Sequence, residues 1–375
     1  MAKIRLGLDV RLLGPRHSGL GRYNEEVLRA LRDYCPEVEV VAFTDGSTAS
    51  EKVVQELAVE THSLPYRPYS LAEQARLPAV LTAARLDLVH FPHFTVPVRY
   101  SGPYVVTIHD LILHHYPSRI ASTRSAPFFW AKYATYRYVI RLALARARRV
   151  IAVSQFTAED ILTYYPRLQS RLVVVSEPVS SFLKQSKPDK PAKLPYTIAR
   201  PYVLVVGNFY PHKNIACLLR AWPEVYRKTG RQLVMVGRVD QFAARLQRLV
   251  RQLFSADQQS RALRWVGFAT DDELSALYQG ADYYLCPSLW EGVGLPGLEA
   301  LAVGTPVLSS AAAALPEVYG QAATYVSVNQ PQLLAASLTQ LLLGPRMASG
   351  TRLPMIQPVE VAKKLLRVYR EAVAA

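Results

Sequence analysis

Short apolar runs alternate with longer stretches of helical period along the whole chain. In the first half the runs fall at residues 4–10, 38–43, 87–90, 104–108 and 149–153, each the length of a buried strand. Between them, residues 14–21 read as a glycine-bearing loop and 22–31 as a helix. After Ser154, Thr157 with an acid three residues on marks a capped helix start. Residues 184–200 break the rhythm, since proline and lysine crowd there as in a linker. The strand signal returns at 202–206, 232–236, 263–266, 283–286 and 307–309, with a helix over 214–227 and a last one over 359–373. This alternation predicts an α/β protein with two parallel sheets, each covered on both faces. The expected division is a domain over 1–183, a linker over 184–200, a domain over 201–356, and a C-terminal helix over 357–375. That helix is able to pack on either domain, a return to the first included. Ligands of such sheets sit beyond the carboxyl ends of the strands, so a cleft between the domains is the expected site.

Composition narrows the class. A chain of 375 residues is too long for one ordinary core, and no apolar run approaches the roughly 20 residues of a membrane span. The first residues read as a strand and not as a secretory signal. Cys35, Cys217 and Cys286 are widely spaced, which fits neither a disulfide framework nor a zinc site, so a cytoplasmic protein is expected. The net charge of +15 asks for an acidic partner. Basic residues concentrate between Arg119 and Arg171, and within that stretch, over 128–149, Phe129, Tyr133, Tyr136, Ile140, Ala143 and Leu144 repeat at helical spacing. Two readings fit this helix: a core-facing stripe with a solvated basic side, or a helix lying on an anionic membrane surface. No nucleic-acid-binding module is present, so nucleic acid is not an expected partner.

The segment from Ser288 to Glu299 carries the chemistry. It follows the apolar run 283–286 and leads into a helical run that Gly304 stops. Gly292, Gly294 and Gly297 leave room for a ligand against the backbone, and Pro296 suits a first helical position. A helix N-terminus offers unpaired N–H groups and a partial positive charge, both suited to phosphate. Glu291 and Glu299 flank the turn with carboxylates that accept hydrogen bonds from hydroxyls. Together these features suggest a nucleotide-sugar site.

A set of motifs in order extends this reading to nearly the whole chain. They are Ser18-Gly19-Leu20-Gly21-Arg22-Tyr23, then Val106-Thr107-Ile108-His109-Asp110-Leu111, and Val150-Ile151-Ala152-Val153-Ser154. Val205-Val206-Gly207, Lys213-Asn214, Val266-Gly267-Phe268 with Asp272-Glu273-Leu274, the Glu291-to-Glu299 segment, Gly304-Thr305-Pro306-Val307 and Leu315-Pro316-Glu317-Val318 follow. Each is weak alone, but in this order and spacing the chain resembles glycosyltransferase family 4, whose fold is GT-B: two Rossmann-like domains facing each other across a cleft. The resemblance implies site residues. Lys213 matches the phosphate-binding lysine, and His212 stands where arginine is usual. Glu291 would face the transferred sugar, with the backbone of Gly292, Val293, Gly294 and Leu295 near its hydroxyls and the β-phosphate. Glu299 would hold the ribose through a bidentate contact, and His109 would contact the donor sugar. Gly19, Gly21, Gly207, Gly267 and Phe268 complete the donor-binding set. No metal and no cofactor are implied, and the spacing of His90, His93, His114 and His115 fits no standard ligand pattern.

The implied activity is retaining transfer of a hexose from a nucleotide diphosphate sugar to a hydroxyl of a glycan or lipid-linked glycan. The motif forms look most like bacterial polysaccharide mannosyltransferases, which makes GDP-mannose the first donor to consider. The expected location is cytoplasmic and peripheral on the inner face of the plasma membrane, through the basic aromatic helix. A nucleotide-sugar epimerase on the same fold, or a non-catalytic nucleotide-sugar-binding or scaffold protein, is the alternative.

Overall fold

A computed structural model describes residues 3–14, 17–64, 66, 70–117, 126–179, 198–345 and 356–375. It divides into two compact units. Among the described residues the first comprises those up to Pro117, 126–179 and Ile356–Ala375, and the second comprises 198–345. Residues 184–197, most of the expected linker, lie outside the described residues.

The first unit is built on a parallel sheet of seven strands: β1 (Ile4–Asp9), β2 (Val38–Thr44), β3 (Glu60–Ser63), β4 (Leu88–Phe91), β5 (Tyr104–Ile108), β6 (Arg149–Ala152) and β7 (Leu172–Val174). Their spatial order is β3-β2-β1-β4-β5-β6-β7. The central strands are almost continuously buried because helices cover both faces, so their sequences are apolar runs without alternation. One core cluster sits under the helix Ser18–Tyr34, the other under Leu71–Ala83 and Ala126–Arg146. The C-terminal helix Pro358–Ala374 packs here: Val361, Leu365, Val368 and Tyr369 are buried in the first cluster.

Three expectations need correction. Helix Ser18–Tyr34 starts before residue 22, so Gly19 and Gly21 lie in its first turns and not in a loop. The chain reverses at Gly14 instead, with φ +97, and a Cβ on Gly21 would run into the Gly14 carbonyl. Gly21 is therefore a close-packing glycine inside a helix. The helix Gln155–Tyr164 is capped by Ser154, whose extended backbone lets its Oγ accept from Thr157 N at 3.1 Å; Thr157 is inside the helix. The basic aromatic helix ends at Arg146, and Arg149 opens β6. Its stripe faces the core at Tyr136, Ile140, Ala143 and Leu144, while Phe128, Trp130 and Tyr138 are exposed beside Lys132 and Arg141.

The second unit has a parallel sheet of six strands: β8 (Tyr202–Val206), β9 (Gln232–Val236), β10 (Leu263–Gly267), β11 (Tyr283–Cys286), β12 (Val307–Ser309) and β13 (Ala323–Tyr325). Their order is β10-β9-β8-β11-β12-β13. Trp222, Leu218 and Val225 on the helix Ile215–Thr229 fill the core on one face together with Leu334 and Leu338. No described helix is long and apolar enough to cross a membrane.

Candidate active site

In the second sheet the strand order turns back between β8 and β11, and the crevice at such a switch point lies beyond the carboxyl ends of the strands. Gly207 leaves β8 there with φ +142, and Pro287 and Ser288 leave β11. The chain after β8 forms a single 3-10 turn, Pro211–Lys213, followed by Asn214 in the left-handed region. Asn214 is held in place by its own side chain, which donates to the Val328 carbonyl at 2.9 Å. Leu289 N donates to the His212 carbonyl at 2.7 Å, tying this turn to the loop after β11.

That tie brings Lys213 to Glu291, 78 residues away, with Nζ 2.5 Å from Oε1. Ser288 Oγ donates to the same oxygen at 2.6 Å, and Ser310 Oγ in turn donates to the Ser288 carbonyl at 2.5 Å. Gly207, Lys213, Pro287, Ser288, Glu291 and Gly294 line one small pocket at the switch point. His212 brings no positive charge. Burial, then the Lys213 ammonium, push its ring down to about 4, so it is neutral at pH 7. The exchange of arginine for histidine therefore removes a full charge.

The glycine turn is held from below by one tyrosine. Gly294 adopts φ +80, and Tyr319, wholly buried, donates from its hydroxyl to the Gly294 carbonyl at 2.5 Å. A Cβ on either Gly294 or Gly297 would collide with that hydroxyl. Pro296 occupies the second position of the helix Leu295–Ala302, whose first turn follows directly on the turn. Glu299 is buried, and Tyr278 OH donates to its Oε2 at 2.8 Å. A bidentate contact from Glu299 to a ribose would share that oxygen with Tyr278.

Gly267 and Phe268 stand farther along the sheet edge, at the end of β10, with Phe268 exposed. Gly237, which the sequence reading passed over, links them to the pocket. Its N–H donates to the Gly267 carbonyl at 2.9 Å, and a Cβ there would meet the Gly207 carbonyl and the Phe209 ring. Ser288, Ser310, Tyr278 and Tyr319 were also passed over. Ser288 lies inside the quoted segment, but nothing in spacing marks a serine as the second donor to a carboxylate three residues on.

His109 belongs to the first unit, as do Gly19 and Gly21. It follows β5, and both ring nitrogens are engaged: Nδ1 with Glu177 Oε1 at 2.5 Å and Nε2 with the Pro92 carbonyl at 2.8 Å. The edge of the Tyr23 ring packs on it at 4.6 Å, which connects two of the sequence motifs. Burial alone would favour the neutral ring. The Glu177 carboxylate, the Pro92 carbonyl and Asp110 outweigh it and raise His109 above the ordinary value. Of the other histidines in this stretch, His93 stacks beside the His109 ring at 6.5 Å between centroids, while three go to separate partners: His90 to Tyr369 and Thr107, His114 to Tyr136 and Tyr165, His115 to Asp160. Among the described residues no group of three or more His, Cys, Asp or Glu converges as a metal site requires. Beyond β1 a salt bridge that the sequence did not suggest closes the same edge: buried Arg11 clasps Asp9 at 2.7 and 2.8 Å and reaches Glu73 at 2.7 Å.

Two family models match this chain, "Glycosyltransferase Family 4" over residues 17–181 and "Glycosyl transferases group 1" over residues 200–343. The chain belongs to glycosyltransferase family 4. This family-4 glycosyltransferase is 25% identical over 346 residues to the O-antigen chain mannosyltransferase B of Escherichia coli, covering 87% of each chain. It is 26% identical over 335 residues to the O-antigen chain mannosyltransferase RfbU of Salmonella typhimurium, covering 85% of this chain and 86% of the relative. Among solved structures, Anabaena HepE, crystallised with UDP and glucose, superposes with a TM-score of 0.75 at 17% identity, over 98% of this chain and 99% of that one. The fold is GT-B.

Proposed function

We propose that this glycosyltransferase moves mannose from GDP-mannose to a hydroxyl of a glycan or lipid-linked glycan, with retention and without a metal ion. The observation that carries the reading is the Lys213–Glu291–Ser288 cluster at the switch point of the second sheet, directly before a glycine turn and a helix N-terminus. A departing nucleoside diphosphate needs positive charge and N–H donors, and this edge supplies both. The choice of mannose rests on the two relatives named as mannosyltransferases.

In this reading Lys213 turns from Glu291 to the β-phosphate, and Glu291 with the turn backbone faces the sugar. Glu299 takes the ribose, and Gly207, Gly267 and Phe268 border the nucleotide. The bond from the anomeric carbon to the phosphate oxygen breaks while the acceptor oxygen bonds to the same face of that carbon. The acceptor's proton passes to the departing phosphate. The first unit takes the acceptor. The exposed Phe128, Trp130 and Tyr138 beside Lys132 and Arg141 lie on the headgroups of an anionic membrane, a cytoplasmic leaflet rich in acidic lipid.

Two assays test these points. Acceptor-dependent release of GDP from GDP-mannose in chelator should occur, with α-linked product identified by NMR; β-linked product refutes retention. Vesicles containing phosphatidylglycerol should bind the protein in low salt and lose it in the triple variant Phe128→Ser/Trp130→Ser/Tyr138→Ser. Equal binding by both proteins refutes the membrane reading. A non-catalytic binding role is the second reading, favoured by the neutral His212. Under it, His212→Arg tightens donor binding without producing turnover.

A further inference from the structure

The surroundings of His109 constrain where its protons are. The Pro92 carbonyl can only accept, so Nε2 carries a hydrogen. Glu177 Oε1 lies 2.5 Å from Nδ1, and the Glu177 side chain is only 5% exposed, so little water competes for that carboxylate. We propose that Glu177 is a positioning residue for the transfer reaction, one that holds the His109 ring in a fixed orientation as the doubly protonated imidazolium. The proposal rests on the transferase reading and on the role the family resemblance implies for His109, contact with the donor sugar.

The neighbouring groups agree with one positive charge at this position and no second one. From β4 and the chain after it come His90 and His93, both held neutral by burial and by His109 itself, each pushed down to about 3. From the helix Ser18–Tyr34 comes Tyr23, buried and bonded to Thr107, its hydroxyl held protonated. Asp110 follows on the same strand end and Glu177 faces the ring from the chain after β7. A Gln at 177 would keep the shape and an acceptor oxygen while removing the negative charge. The imidazolium would then lose its largest compensating charge, leaving only the Pro92 carbonyl and Asp110 against the effect of burial. A ring fixed by two acceptors from opposite sides also cannot flip, which fixes where any polarised N–H points.

The test uses the full-length protein with 15N-labelled histidine. At about pH 7.5 the His109 ring should show both nitrogens protonated. The Glu177→Gln variant should show one bare nitrogen, with its thermal unfolding close to wild type. In GDP release from GDP-mannose, the alkaline limb of the wild-type kcat profile should lie above the ordinary histidine range. In the variant it should move down by about one pH unit or more, giving roughly a tenfold loss near pH 8 that acidification to about pH 6 restores. A merely structural role would lower activity equally at both values. One bare ring nitrogen in the wild type overturns the proposal. An unshifted profile in Glu177→Gln also overturns it, even where His109→Ala abolishes transfer and thereby upholds the wider reading. If His109→Ala leaves transfer intact, the wider reading of His109 fails, and the nitrogen spectra alone decide the protonation claim.

Discussion

Replacing Gly297 by alanine should destabilise the second unit, although in an ordinary helix the same exchange stabilises by about 0.5–1 kcal/mol. Gly297 has no left-handed backbone to strain, so the effect is purely one of space. The new methyl would overlap the hydroxyl and Cζ of Tyr319, a wholly buried ring whose hydroxyl holds the Gly294 carbonyl. Displacing a ring in a packed core costs about 1–3 kcal/mol, and losing the hydrogen bond adds about 1 kcal/mol. Set against the gain in helix propensity, the net loss is about 1–3 kcal/mol, which lowers Tm by roughly 2–12 °C for a unit of this size. Calorimetry measures the shift, and hydrogen exchange at β11 and β12 assigns it to this unit. The double variant Gly297→Ala/Tyr319→Leu gives the methyl room, so its loss should fall short of the sum of the singles by about 1 kcal/mol or more. Additive losses, or a stabilised Gly297→Ala, would refute the packing argument.

Tyr278→Phe removes the hydroxyl that holds buried Glu299, a charge-assisted bond of about 1.5–3 kcal/mol; the donor KM should rise with little change in kcat, and an unchanged KM contradicts the ribose role. Leu365→Ala, at a wholly buried position of the C-terminal helix, should cost about 2–5 kcal/mol and lower the unfolding midpoint of the first unit alone. Protonation should add an acid limit in that unit. Burial pushes His90 down to about 3 and His114 to about 4, so below about pH 6.5 the unfolded chain binds protons that the native state refuses. Stability then falls as the pH drops, by roughly 1.4 kcal/mol per pH unit for each histidine. His109 acts in the opposite sense: its contribution is complete below the ordinary histidine value and is lost as the pH rises past its raised native value. Urea unfolding at several pH values should show a slope shallower by about one proton in His114→Gln, and an unchanged slope refutes the assignment.

The central strands were legible because burial on both faces demands unbroken apolar runs. Edge strands were not. β3 is polar and largely exposed and β13 is the short, half-exposed Ala323–Tyr325, so no apolar run announces them; β7 does carry one, Leu172–Val174, but it is only three residues long and half-buried. Gly21 misled for a related reason. A glycine that lets a neighbouring carbonyl approach reads in sequence like a glycine that breaks a helix. At the site, Lys213, Glu291 and the glycine turn were legible from motif order. Their supports were not, because Tyr319 and Tyr278 reach Gly294 and Glu299 through folding alone and obey no spacing rule, and the same holds in the first unit for Glu177 at His109.

The most direct test of the donor site is nucleoside diphosphate release from a panel of GDP- and UDP-sugars in chelator, beside Lys213→Ala and Glu299→Ala. The account predicts slow release from GDP-mannose by the wild type, faster with a mannosylated acceptor, and loss of release in both variants while each remains folded. Release that survives in Lys213→Ala, or no binding or release of any donor by the wild type, would contradict it.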